Sequence, residues 1–211
     1  MTEETLHQLI EQYRVPVHVR KHMKKVAAVA LYLGQLLNRR GQKVNLIVLR
    51  QAALLHDIMK LCDFKHLNFD HFEQNVTAED IRFWNALIKS CHHVGHVDAA
   101  YNVLMDIGEQ ELAVIVRKHR FEGLIDERDK PQTWEEKLLY YADKRVRHDE
   151  VVSTAERLED GRKRYYPDGD LPEHDHHVEK ALYKLEEEIC SQAGIRPEDI
   201  NEKNAEPFLE R

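Results

Sequence analysis

The stretch "ALLHDIMKLC" at residues 53–62 sets His56 beside Asp57 within an otherwise apolar run. Leu49, Ala52 and Ala53 share one helical face with His56. An ionised carboxylate next to an imidazole on such a face is costly unless something pairs with them. Other segments aim similar groups from apolar faces. His22 lies four residues before Val26, and His96 heads the face of Ala99, Ala100 and Val103. His119 follows Leu112, Ile115 and Val116, and Asp143 lies between Leu139 and Val146. A single histidine of this kind is ordinarily a hydrogen-bonded core residue, and a single aspartate a cap or an ion-pair partner. Taken together they fit another explanation, because one divalent cation satisfies several buried ligands at once.

Adjacent helical residues diverge by about 100°. His56 and Asp57 can therefore share an ion only if it lies between their directions and other helices complete its shell. His22 and Asp143 are the candidates. Two histidines and two carboxylates make a borderline-hard site that suits Mn²⁺, Fe²⁺, Co²⁺ or Ni²⁺, with Mg²⁺ also compatible, better than a closed structural zinc site. Water fills the remaining positions, and metal-bound water is a nucleophile near neutral pH.

The elements that must position these groups are helical. The pattern predicts helices over residues 2–13 and 17–38, the second with His22, Val26, Val29, Leu33 and Leu37 as its stripe. Asn45 can cap a third helix that runs through His56 and Asp57 to about residue 61. Residues 62–75 read as an irregular loop. Thr77 with Asp80 resembles a capping box that opens a helix bearing Phe83, Trp84 and Leu87. A helix follows the "CHHVGH" turn, and "EQELAVIVRKH" makes a short one ending at His119. Thr133 with Glu136 is a second capping box, opening a helix expected to run past Asp143 towards Arg157. After a turn-rich break, one more helix covers residues 178–190, and Pro197 starts a final turn.

The expected architecture is one all-α domain over residues 1–167, with a C-terminal helical extension, residues 168–211, packed on it. Composition agrees: of 211 residues only 8 are Gly and 6 are Pro, while 33% are charged. A net charge of −7 argues against a dedicated nucleic-acid binder, although a local basic patch would survive that average. The start, "MTEETLHQLIEQYR", does not read as a secretory signal, and no run approaches the apolar length of a membrane span. Three cysteines, Cys62, Cys91 and Cys190, form no CxxC pair, so reduced thiols in a cytoplasmic protein are the expectation.

The ordered set of motifs resembles the HD-domain metal-dependent phosphohydrolases, named for their adjacent His-Asp pair. "HVRKHMKKVAAVA" is similar to the family's first-histidine helix, with His22 in the ligand position, and "AALLHDIMK" to its HDIG segment. "HVDAAYNVL" is similar to the H-x-x-x-G-A-x-x-L segment that follows, with Ala100 where glycine is usual. "VIVRKH" supplies the next histidine, and "EEKLLYYADKRV" resembles the segment bearing the last aspartate. The resemblance covers about residues 15–165 and implies that His22, His56, Asp57 and Asp143 bind the principal metal. Members with two further histidines often bind a second ion and share the HD aspartate as a bridge. Here His96 and His119 fill those places, with His92 and His93 competing for the role of His96. Met59 stands where the glycine of HDIG is usual, which narrows the space near the metal.

The implied function is hydrolysis of a phosphate ester or anhydride of a nucleotide or related small molecule by attack of metal-bound water. Asp57 would orient the water, and Lys60, Lys144 and Arg145 are candidates to hold substrate phosphate. An exposed-face role is the alternative for each of these cations. Two other functions share the ligand set: a dinuclear iron oxygenase on the same fold, and a regulatory module that binds nucleotide and metal without turnover. "HDHH" at residues 174–177 reads as a solvated helix start, Trp84 as core, and the "RKRYY" run near residue 164 as a solvated helix end.

Overall fold

The computed structural model of the chain describes residues 1–69, 72–91 and 93–209. Within them the protein is all-α apart from one small hairpin. The helices are α1 (Glu3–Gln12), α2 (Val17–Arg39), α3 (Leu46–Leu55), α4 (Ala78–Cys91), α5 (His96–Asp106), α6 (Gln110–Arg117), α7 (Trp134–Asp143), α8 (Thr154–Tyr165), α9 (Glu173–Ala193) and α10 (Glu202–Ala205). The hairpin pairs β1 (Val146–Arg147) with β2 (Glu150–Val151), with Val146 opposite Val151.

The long helix α2 is the spine. Its apolar positions, from Val19 through Val26, Val29 and Leu33 to Leu37, are buried, and α3, α7, α9, α10 and the hairpin all pack against it. Gly34 permits the close approach of α3. A Cβ there would stand 2.7 Å from Leu46 Cδ2 at the start of α3, a clash that any side chain would have to relieve. α3 lies between α2, α6 and α7, and α5 packs on α6. A separate small core of Leu61, Phe72 and Trp84 forms beside α4, where the fully buried Trp84 donates its Nε1–H to the Arg14 carbonyl at 2.9 Å.

Local signals set most boundaries. Asn45 accepts from the N–H groups of Ile47 and Val48 and starts α3, and the Thr133–Glu136 capping box starts α7. Thr77 and Asp80 bond reciprocally before α4. The three exposed histidines of "HDHH" lie in the first turn and a half of α9, which begins at Glu173, earlier than residue 178.

Three expectations are corrected. The third helix does not continue through His56 and Asp57. It ends at Leu55, and the chain turns through residues 56–59 into a 3₁₀ turn at Lys60–Asp63. The helix bearing Asp143 stops there instead of running to Arg157. The hairpin intervenes, and a third capping box, Ser153 with Glu156, opens α8. Two strands of two residues each are too short to show a period in the sequence, so the flanking helical pattern masked them. Finally, Cys62 and Cys91 are not free thiols. The return of α4 onto the 60–63 turn brings their Cα atoms to 5.4 Å, and they form a disulfide. That pairing removes the reduced-thiol argument for a cytoplasmic setting. Cys190 is free but buried, and burial pushes its thiol up to about 11, so it behaves as a core residue. Among the described residues, no helix is long and apolar enough to cross a membrane.

Arg145 shows why α9 and the chain after it are part of the same body. It is 2% exposed and spends its donors on the structure. Nε donates to the Val152 carbonyl at 2.7 Å, one terminal nitrogen to Tyr141 Oη at 2.8 Å, and the other to the Ile200 and Pro197 carbonyls at 2.9 and 3.2 Å. Glu186 of α9 lies 3.6 Å from the guanidinium. Removing one partner of a buried charge network leaves the rest unpaired, at roughly 3–5 kcal/mol. Arg145→Ala is therefore expected to lower unfolding free energy by about that much in urea titration. An unchanged midpoint would show that this network does not hold the C-terminal helices.

Candidate metal centre

The turn that ends α3 decides the geometry. His56 sits at the helix C-terminus, where backbone carbonyls lack intrahelical partners. One of them, Ala53 O, accepts from His56 Nδ1 at 2.7 Å. α6 repeats the device: it ends at Arg117, and Val116 O accepts from His119 Nδ1. His22, on α2, gives its Nδ1–H to the His148 carbonyl at the hairpin turn, 2.7 Å away. His96, the first residue of α5, gives its Nδ1–H to the Asp63 carboxylate. Each of these partners is an acceptor only, so in the neutral form all four imidazoles carry the proton on Nδ1 and leave Nε2 as a lone pair. Fixing a ring through its remote nitrogen is how proteins orient metal-binding histidines.

The four Nε2 atoms face two carboxylates. His22 Nε2 stands 3.1 Å from Asp143 Oδ1, and His56 Nε2 stands 3.7 Å from both Asp143 Oδ1 and Asp57 Oδ2. On the other side of Asp57, Oδ1 lies 3.2 Å from His96 Nε2 and 3.8 Å from His119 Nε2. Two clusters result, His22–His56–Asp143 and Asp57–His96–His119, each with its candidate ligand atoms within 4.8 Å of one another. The Asp57 carboxylate joins them, one oxygen toward each.

Without a cation this arrangement is poorly satisfied. His96 Nε2 and His119 Nε2 are 3.2 Å apart, a contact of two lone pairs when both rings are held through Nδ1. Among the described residues, His56 Nε2 and Asp57 Oδ1 are buried with no hydrogen-bond partner. Orphaned atoms of this kind normally cost about 1–3 kcal/mol each, and a divalent ion would satisfy them. The residues present fit one ion in each cluster.

Compared with known protein families, residues 19–147 match the HD domain. The chain belongs to the HD-domain family. Neither a curated protein nor a solved structure matches it. The family is one of metal-dependent hydrolases, and in this HD domain the candidate histidine and aspartate ligands converge.

Charge balance around the HD pair follows from its neighbours. Burial works against the Asp57 carboxylate, yet Lys60, His56 and His96 outweigh it and hold its pKa well below the usual range. Asp143 behaves alike, with Lys144 and His22 opposing burial. Burial and the neighbouring His56 and His96 push His119 well below its ordinary value, so it stays neutral and ready to ligate. For His56, burial is again unfavourable to the cation, but Asp57 and Asp143 outweigh it and raise the pKa above 6.5.

The remaining candidates separate clearly. Lys60 Nζ lies 3.4 Å from Asp57 Oδ1 and keeps 35% of its side chain exposed, so it stands at the mouth of the centre. Lys144 is buried, bonded to Asp143 Oδ2 and to the His119 carbonyl, and it supports the ligands from behind. Arg145 is corrected: it points into the Tyr141 and C-terminal network, away from any substrate. His93 is exposed on the turn before α5 and His92 lies outside the described residues. At Met59 φ is −106°, so the position does not require the glycine of HDIG. Two residues were missed in the sequence, Asp63 and His148. The latter contributes only a carbonyl, which no side-chain pattern reveals.

A divalent ion and a proton compete for His56 Nε2. In the metal-free protein, the His56 charge contributes stability fully below pH 6.5, and that contribution is lost as pH climbs through the raised value. Affinity for Mn²⁺ should therefore rise with pH across that window, with proton release on binding. Calorimetric titration in buffers of different ionisation heat measures both, and a pH-independent affinity would count against this ligand.

Proposed function

We propose that the protein is a metal-dependent phosphohydrolase that cleaves a phosphate ester or anhydride of a nucleotide or related small molecule. The observation that carries this reading is the division of Asp57, whose two oxygens each face one histidine cluster. A bridging carboxylate between two ligand sets is suited to a pair of ions of the Mn²⁺, Fe²⁺, Co²⁺ or Ni²⁺ type. Such ions, when bound, lower the pKa of water and take up charge developing on phosphoryl oxygens.

The chain's own residues supply the rest. Asp57 stays ionised and orients the groups on either side of it. Lys60, half-buried, presents its ammonium where a substrate phosphate meets the centre, and its neighbours Asp57, Asp143 and Asp63 outweigh burial and keep it charged. Lys144 fixes Asp143 and does not contact substrate.

A panel of nucleotides and a generic phosphodiester, assayed with Mn²⁺ or Fe²⁺, tests this. Asp57→Ala should abolish turnover, a loss beyond the roughly 10–100-fold typical of outer-shell changes. Lys60→Ala should lower kcat/KM by about 10–100-fold, the worth of a hydrogen bond to a charged group. Turnover that survives complete removal of metal would end the proposal. Iron with oxygen-dependent substrate loss would move it to an oxygenase, and nucleotide binding without consumption to a regulatory module.

A further inference from the structure

Three of the four histidines in the centre are held by backbone carbonyls. His96 is the exception. Its holder is a side chain, Asp63, from a turn 33 residues earlier in the chain. Asp63 makes two contacts with the same residue: Oδ2 accepts from His96 Nδ1, and Oδ1 accepts from the His96 backbone N–H at 3.0 Å. The second contact does the work of a missing cap. The residue before α5 is Gly95, at φ 82°, which has no side chain to accept an N–H of the first turn. Asp63 therefore fixes both the start of α5 and the rotation of its first side chain.

The turn that carries Asp63 is itself tethered on both sides. Asp57 and Lys60 lie just before it, and Lys60 N–H donates to the Asp57 carbonyl at 2.9 Å. Cys62, its immediate neighbour, is bonded to Cys91 at the end of α4, and the short segment 92–95 leads from there to His96. The turn is thus held covalently at Cys91, and through a carboxylate at His96. Among the described residues, no comparable side chain holds the rings of His22, His56 and His119, whose Nδ1 partners are the carbonyls of His148, Ala53 and Val116.

We propose that Asp63 is a positioning residue for the Asp57–His96–His119 half of the centre, so that this half loads its ion separately from the His22–His56–Asp143 half. The inference rests on the reading of the site as a two-metal centre. It adds that removal of a single outer carboxylate turns a two-ion protein into a one-ion protein.

Stepwise titration of the full-length protein with Mn²⁺, followed by metal analysis and electron paramagnetic resonance, tests this. Wild type should bind two ions with the signal of a coupled pair. Asp63→Ala should bind the first ion with unchanged affinity and the second about 10–100-fold more weakly, giving the six-line signal of isolated Mn²⁺ at one equivalent. Asp63→Asn is nearly isosteric and keeps an amide oxygen, so it guards against loss of fold, which thermal unfolding reports. If Asp63→Ala does not fold, a folded Asp63→Asn with a selectively weakened second ion sustains the proposal. Unchanged binding of both ions in either folded variant, or equal weakening of both, overturns it. A wild type that binds one ion only also overturns it while leaving hydrolysis open, whereas a wild type that binds none sinks the metal reading itself.

Discussion

The interaction on which the rest depends is the confrontation of four imidazole lone pairs with two ionised carboxylates in a largely buried volume. Each Nδ1–H is committed to an acceptor, so each Nε2 is left electron-rich and aimed at oxygen or at another ring. Nothing in the side-chain hydrogen-bonding repertoire relieves that arrangement fully, because acceptors do not satisfy acceptors. Lys60 and Lys144 compensate charge from the edges, one at Asp57 and one at Asp143. They do not reach His56 Nε2. A polar constellation half-satisfied in this way is destabilising for a fold unless a ligand completes it.

The scaffold explains how such a cluster is tolerated. α2, α3, α6 and α7 are packed into one apolar core by Leu33, Leu49, Leu55, Val116, Leu138 and Leu139, all nearly inaccessible to solvent. The site uses the places where those helices end. α3 stops at His56, α6 just before His119 and α7 at Asp143, while α5 begins at His96. Helix termini supply unpaired backbone groups, and the protein employs two of the orphan carbonyls as ring holders. Burial of the helices provides stability and their ends provide function, so the two demands fall on different residues. The hairpin joins these roles: its turn gives the carbonyl that holds His22, while its flank anchors Arg145.

Much of this could be read from residues alone. The capping pairs Thr77–Asp80 and Thr133–Glu136, the stripe of α2 and the cap at Asn45 are local, since each depends on neighbours within four positions. The six candidate ligands were legible for a related reason: an ionisable group on an apolar helical face is anomalous wherever the helix packs. Boundaries were less secure. The apolar period continued through Asp57 and past Asp143, so helix was the simplest reading at both, and only the turns there reveal that it was wrong. Arg145 shows the limit from the other direction. A cation beside a ligand aspartate resembles a phosphate holder until its side-chain direction is known.

The sequence by itself determined an all-α protein, its HD pair and the residue types able to bind a transition metal, because these follow from composition and short-range spacing. Tertiary structure alone decided which nitrogen each histidine offers, that Asp57 faces two ways, that Asp63 holds His96, and that Cys62 meets Cys91. Apart from the carbonyls three residues before His56 and His119, those facts join groups 29 to 126 positions apart. Distances of that kind are set by how helices pack, and no local pattern encodes them.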